Sequence, residues 1–155
     1  MKPHVTIYCD GACSPNPGIG GWGTVLISEQ HRARKEISGA ELKTTNNRME
    51  LTAAIKGLES LKQPCAVDVF TDSQYVRNAF AQGWLAKWQR NGWKSAARTA
   101  ISNEDLWRRL IALGEVHDIK WHWVRGHADN AGNNRADRLA VAAREALARR
   151  GDRRK

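Results

Sequence analysis

Cysteine is scarce in this chain of 155 residues: Cys9, Cys13 and Cys65 form an odd set with no paired spacing. That argues against a disulfide scaffold and against a zinc site, which takes four well-spaced ligands. It suits a reducing cytoplasm, the expected location. Long apolar runs are also missing. Met1-Lys2-Pro3-His4 has no apolar h-region, and no stretch reaches the length of a membrane span, so no membrane partner is expected. No internal repeat and no linker appear. One domain is expected over residues 1–148, followed by a basic mobile tail over 149–155. No hydroxyl nucleophile has an evident paired base, which disfavours a covalent mechanism. Acids are outnumbered: 25 Lys and Arg face 16 Asp and Glu, a net charge of +9. That excess points to a polyanionic partner, most often nucleic acid, against the plainer reading of a solvated basic surface.

The elements that are present alternate in type. Val5 to Asp10 reads as a buried strand that stops at a turn with Gly11. Cys13 to Gly18 is a turn-rich loop. Gly20 to Ile27 reads as a second strand, and roughly Lys35 to Leu42 as a weaker third. Short connections make these three antiparallel neighbours. Asn46-Asn47 and the preceding threonines supply N-cap candidates, and Leu51, Ile55, Leu58 and Leu61 follow at helical spacing. Ala66 to Asp72 is the next strand, made parallel to the first by the helical crossover. Ser73 to Phe80 and Asn103 to Leu113 read as helices, Val116 to Val124 as a fifth strand, Gly126 to Asn134 as a loop, and Arg135 to Arg149 as an alanine-rich final helix.

Four acids stand out against this frame. Asp10 and Asp72 both end strands inferred to be parallel neighbours, and ligands in open α/β sheets bind beyond such ends. Glu50 borders the buried face of its helix. Asp137 follows a polar loop. Plainer readings exist for each: an Asx turn for Asp10, a helix cap for Asp72, a helix-dipole contact for Glu50, and pairing with Arg135 or Arg138 for Asp137. Taken together, four carboxylates without histidine or cysteine partners match hard cations such as Mg²⁺, with Mn²⁺ able to substitute. Two such ions can hold the attacking and leaving oxygens of a phosphoryl displacement. Without metal the cluster should repel itself and raise at least one carboxyl pKa.

Tyr8-Cys9-Asp10-Gly11-Ala12, Thr45-Asn46-Asn47-Arg48-Met49-Glu50-Leu51, Phe70-Thr71-Asp72-Ser73-Gln74-Tyr75 and Trp123-Val124-Arg125-Gly126-His127 together resemble type 1 ribonuclease H, specifically bacterial ribonuclease HI. The resemblance runs from about Val5 to Ala148. It implies an α/β fold with a five-stranded mixed sheet of order 3-2-1-4-5, strands 1–3 antiparallel, 4 and 5 parallel to 1, and helices on both sides. It implies endonucleolytic cleavage of the RNA strand of an RNA–DNA hybrid, leaving 3′-hydroxyl and 5′-phosphate ends. It assigns metal binding to Asp10, Glu50, Asp72 and Asp137, and proton transfer or product release to His127. One departure is Asn133-Asn134, where similar proteins often carry a glutamate beside the asparagine.

Telling RNA from DNA requires reading the 2′-hydroxyl. Cys13, Ser14, Asn16, Asn46 and Gln74 lie near the proposed acids, and the resemblance places several of them on the RNA strand; ordinary turn and cap chemistry is the alternative. The segment from Gly83 to Lys94 mixes Trp84, Trp88 and Trp93 with Lys87, Arg90 and Lys94. It resembles the family's basic protrusion, which grips DNA, although Trp84 and Trp88 at i, i+4 equally suit burial. Trp84 would pack on DNA sugars, Thr45 would hold a DNA phosphate, and Asn47 would contact the same strand. Trp22, Trp107, Trp121 and Trp123 read as core or core edge. A monomer without an obligate protein partner is expected. The rival readings are a DNA-processing nuclease of the same fold and a non-catalytic hybrid-binding module.

Overall fold

The computed structural model describes residues 2–94, 102–124 and 130–153, with side chains through Arg150. Its centre is β1 (His4–Cys13), in which Val5, Ile7 and Cys9 point into the core and alternate with half-exposed neighbours. β2 (Gly18–Ser28) and β3 (Ala33–Thr44) follow as antiparallel neighbours. α1 (Asn46–Glu59) then crosses over to β4 (Ala66–Thr71), parallel to β1. α2 (Gln74–Ala81), α3 (Trp84–Asn91) and α4 (Glu104–Val116) lead to β5 (Asp118–Trp123), parallel to β4. α5 (Ala131–Arg153) ends the described chain. The sheet order is β3-β2-β1-β4-β5, as expected.

The sheet's two faces are built differently. On one face α1 buries Met49, Leu51, Ile55 and Leu58 completely, and α4 adds Leu106, Trp107 and Leu110. Thr45 starts α1 by accepting the Arg48 N–H on its hydroxyl at 3.2 Å. That satisfies one of the donors a helix start leaves open. On the other face α5 lies directly on the β1–β3 half of the sheet. A Cβ on Gly21 or Gly23 would strike the Ala140 or Ala136 carbonyl of α5, so bare backbone at both positions permits the approach. Arg135 grips Glu36 of β3 at 2.8 and 2.9 Å, and with Arg34 holds that carboxyl down at about 2.

Several boundaries differ from the sequence expectations. β1 does not stop at Asp10; it stays paired with β2 through Cys13. What ends there is its other ladder, since pairing with β4 stops at Tyr8 and Phe70. β3 is longer than expected because it pairs with β2 from Ala33 to Glu41 and, past a register shift, again at Thr44. α5 begins at Ala131, not Arg135: the Asn130 carboxamide oxygen accepts the Asn133 N–H at 3.0 Å and caps the helix earlier. It also continues to Arg153, so residues 149–153 of the expected mobile tail are helical, in keeping with the strong helix formers that precede them. Among the described residues no helix is long and apolar enough to cross a membrane.

Candidate active site

The fork between β1 and β4 creates the site. Past Tyr8 and Phe70 the two strands no longer pair, and each carries an acid just beyond: Asp10 on β1 and Asp72 after β4. Glu50 arrives from the first turns of α1. Its approach depends on Gly11, where a Cβ would lie 2.5 Å from the Glu50 backbone nitrogen. Real Cβ atoms essentially never come that close to a neighbour. Gly11 thus allows the helix start to rest on the strand. As a result Asp10, Glu50 and Asp72 each present an oxygen within 4.8 Å of the other two. Asp137, nearly two turns into α5, brings a fourth carboxyl against Asp10.

The electrostatics follow from this crowding. Burial, then the Asp72 charge, then the Asp137 carboxyl push Asp10 up to about 9, against a small opposing effect of the Gly11 N–H, which donates to Asp10 Oδ1 at 2.9 Å. Burial likewise lifts Glu50 to about 7. Hydrogen bonds from Ser73 and Asn46 oppose that rise, the Asn46 amide donating to Glu50 Oε1 at 3.1 Å. Burial also raises the Cys9 thiol, the charges of Asp10, Glu50 and Asp72 adding to it, so this cysteine is neutral and no nucleophile. A cluster this reluctant to ionise lacks compensating positive charge. Its donors are all carboxylate oxygens, the set a hard divalent cation prefers. The residues present therefore fit such an ion.

Three positioning residues were not expected. Gly11 is one. Ser73 is buried and caps α2 by accepting the Val76 N–H at 3.2 Å, which fixes the turn after Asp72. Asn133 spans the fork itself. Its amide donates to the Cys9 carbonyl at 3.4 Å and the Phe70 carbonyl at 3.3 Å, so α5 is tied to both diverging strands. The signal for Ser73 was present in Asp72-Ser73-Gln74, a capping pattern. Nothing local marks Asn133, whose partners lie far back in the sequence.

The remaining candidates fall in two places. Asn46 lies against Glu50; Asn16 Oδ1 accepts the Asn46 N–H at 3.1 Å, Cys13 Sγ donates to the Thr44 carbonyl at 3.5 Å, and the Ser14 N–H donates to the Ile19 carbonyl at 3.1 Å. Gln74 is exposed at the start of α2, and Asn47 at the start of α1. Thr45 borders a pocket of about 460 Å³ lined also by Gly18, Lys43 and Arg48. Farther away, Lys87, Arg90 and Lys94 are exposed on and after α3. Trp84 and Trp88 are half-buried beneath them. Trp88 packs 5.8 Å from Trp84 and 5.9 Å from both Trp93 and Trp107, so it anchors the segment. Arg108 lies 4.7 Å over the Trp93 ring. His127 lies outside the described residues.

The order of strands and the acidic fork define a class: an α/β protein whose carboxylates converge at the carboxyl ends of parallel strands. Comparison with known proteins narrows it. The family model for RNase H matches residues 2–145. A ribonuclease H of Moorella thermoacetica is 56% identical over 146 residues, covering 94% of this chain and 95% of the relative. One from Ralstonia nicotianae is 55% identical over 137 residues, covering 88% and 89%. The crystal structure of LC9-RNase H1, a type 1 RNase H with the type 2 active-site motif, is 30% identical with a TM-score of 0.83, covering 94% of this chain and 74% of that one. LC11-RNase H1 in complex with RNA/DNA hybrid shares the fold at a TM-score of 0.69 and 22% identity, covering 92% and 98%. The chain belongs to the ribonuclease H family.

Proposed function

We propose that this chain is an endonuclease that hydrolyses the RNA strand of RNA–DNA hybrids, leaving 3′-hydroxyl and 5′-phosphate ends, with Mg²⁺ as its working ion and Mn²⁺ as a substitute. The observation that carries the reading is the meeting of Asp10, Glu50 and Asp72 at the β1–β4 fork of a chain in the ribonuclease H family.

Asp10, Glu50, Asp72 and Asp137 are the residues that would hold the metal. Bound there, divalent ions supply Lewis-acid charge for an in-line displacement at phosphorus. The chain's own groups do the rest. Asn46 fixes the Glu50 carboxylate through its 3.1 Å hydrogen bond. Asn133 keeps the fork at a set width by binding one carbonyl on each strand. Cys13, Ser14, Asn16, Asn46 and Gln74 offer short polar groups to the RNA 2′-hydroxyls. Thr45, Asn47, Trp84, Lys87, Trp88, Arg90 and Lys94 would hold the DNA strand, chiefly through its backbone, which gives affinity without sequence reading. His127 is assigned proton transfer or product release. Three free thiols suit a reducing cytoplasm. The chain is read as a monomer, which light scattering on a sizing column tests.

Strand-labelled RNA–DNA, RNA–RNA and DNA–DNA duplexes, each with Mg²⁺ and with excess EDTA, test the reading. Only the RNA strand of the hybrid should be cut, and only with metal. The Asp10→Asn variant should bind hybrid and not cleave it. Cleavage of DNA–DNA duplex, cleavage in EDTA, or full activity in Asp10→Asn would overturn the proposal.

A further inference from the structure

The fork uses only the first turns of α5, and the rest of the helix is strongly basic. From Arg144 onward the chain holds six Arg and Lys against two acids, Glu145 and Asp152. Three contacts show where this basic end goes. Gly132 rests on the Tyr8 ring, Ala136 lies over Gly23, and Arg144 lies over Gly21. Gly23 pairs with Asp10 and Gly21 with Ala12, so the contacts advance in order along β1. From Gly132 to Arg144 the helix covers about 18 Å. From Tyr8 to Ala12 the strand covers about 13 Å. α5 therefore runs in the direction of β1 at a slant, and it touches β3 as well.

From Arg144 to Arg150 the helix advances about 9 Å more. At the same slant that is about two strand residues, from the level of Ala12 to that of Ser14. There the Ser14 N–H donates to the Ile19 carbonyl at 3.1 Å and closes the base of the loop that carries Asn16. β3 ends at the same edge, where Thr44 pairs with Gly18. Arg149 and Arg150 are both exposed. Arg48, Arg108, Arg109 and Arg135 are each taken up by a carboxylate, whereas among the described residues no ion pair takes up Arg149 or Arg150. From Ala148 to Arg153 the sequence has no large apolar side chain. That end of the helix offers charge without the apolar face a membrane-surface helix needs.

We propose that Arg149 and Arg150 form a phosphate-binding rim at the end of α5, which holds the backbone of the hybrid beside the β1–β2 loop. The inference rests on the nuclease reading, because Cys13, Ser14 and Asn16 of that loop are the groups offered there to the RNA 2′-hydroxyls. Guanidinium forks match phosphate oxygens in pairs, so two adjacent arginines suit a nucleic-acid backbone. From Asp137 to Arg150 the helix spans about 20 Å. At about 3.4 Å per step that is about six base pairs of duplex. The rim thus grips the hybrid well away from the cut, adding affinity without reading bases.

The test is hybrid binding by the full chain, measured by fluorescence anisotropy with Mg²⁺ at several salt concentrations, with Asp10→Asn as the parent so that the hybrid stays intact. Arg149→Gln/Arg150→Gln in that parent is compared with Arg32→Gln/Lys35→Gln, which removes the same charge from exposed positions at the opposite end of the sheet. Glutamine is a good helix former, and circular dichroism should show α5 unchanged. The rim variant should bind a hybrid of about 18 base pairs on the order of tenfold more weakly at about 0.1 M salt, with the slope of log K against log salt reduced by up to about 1.8. The control variant should stay close to the parent. The difference should disappear on hairpin-closed hybrids shorter than about six base pairs, which do not reach from fork to rim. Equal affinity and slope in the rim variant and the parent, or an equal fall in both double variants, would overturn the inference; so would a rim variant that loses binding only to phosphatidylserine vesicles. If the parent binds no hybrid and wild type cuts none, the nuclease reading falls as well. If wild type cuts hybrid and the rim variant binds it as the parent does, the rim alone is wrong.

Discussion

Gly11 and Glu50 meet backbone to backbone: a Cβ on Gly11 would lie 2.5 Å from the Glu50 nitrogen and 2.5 Å from the Met49 carbonyl carbon. Both of those atoms belong to the start of α1 and cannot step aside alone. A Gly11→Ala change must therefore move the helix start and the Glu50 carboxylate with it. Displacements of about 1 Å in a catalytic group cost on the order of 100-fold in rate. We expect kcat for hybrid cleavage to fall by about that factor, with a stability loss of about 1–3 kcal/mol from overpacking. Steady-state kinetics and urea unfolding of the variant check both.

The metal-free fork makes stability fall as pH rises. Asp10 and Glu50 are pushed up to about 9 and about 7, above their ordinary values of 3.8 and 4.5. The folded state thus holds protons that the unfolded chain has released. The loss begins as pH passes the unfolded values near 4 and continues until the folded groups ionise near 7 and 9. Tm in EDTA should be higher at pH 5.5 than at pH 8.5. Asp10→Asn should flatten the slope and raise stability at pH 8.5 by on the order of 2 kcal/mol, well short of a full buried-charge penalty. Thermal melts across pH check this.

Adding Mg²⁺ should reverse that loss. An ion that binds only the folded state stabilises by about 2.7 kcal/mol at 100 times its dissociation constant. The gain in Tm at pH 8.5 should be large in wild type and small in Asp10→Asn. Calorimetric scans with and without Mg²⁺ measure it.

Lys87, Arg90 and Lys94 are exposed, so their replacement should spare the fold. The triple alanine variant should raise KM for hybrid and leave kcat near wild type. Each phosphate that the variant no longer neutralises reduces the slope of log K against log salt by about 0.9. Binding measured at several salt concentrations checks the slope, which falls by up to about 2.7 if all three side chains touch phosphate.

Trp88 should behave differently from those cations. Its ring packs among Trp84, Trp93 and Trp107. Trp88→Ala should cost about 2–4 kcal/mol, toward the lower part of the range for aromatic truncation because the ring is only half-buried. It should weaken hybrid binding through loss of the shape of α3. Denaturant unfolding and hybrid titration separate the two effects.

Much of this was legible in the chain. Alternation in β1 and the helical stripe of α1 are local patterns, and the short and long connections set strand direction. The acids were legible because Asp10 and Asp72 stand just past apolar runs. What escaped was contact that no local pattern encodes. Asn133 binds carbonyls of Cys9 and Phe70, more than 60 residues away in each case. Gly11 reads as a turn glycine, yet it lies inside a strand and matters for the helix laid upon it. The end of β1 was misplaced because one of its two ladders stops at Tyr8 while the other runs on to Cys13.

β1 occupies the middle of the sheet and precedes the other described elements in the chain, and the helix that brings Asp137 is the last of them. A polypeptide still emerging from the ribosome has Asp10 but lacks the fourth acid and the Asn133 brace until α5 has been translated. Hydrolytic competence is thereby postponed until α5 has been made, and a product cut short before Asn133 would be inert toward the cell's own nucleic acids.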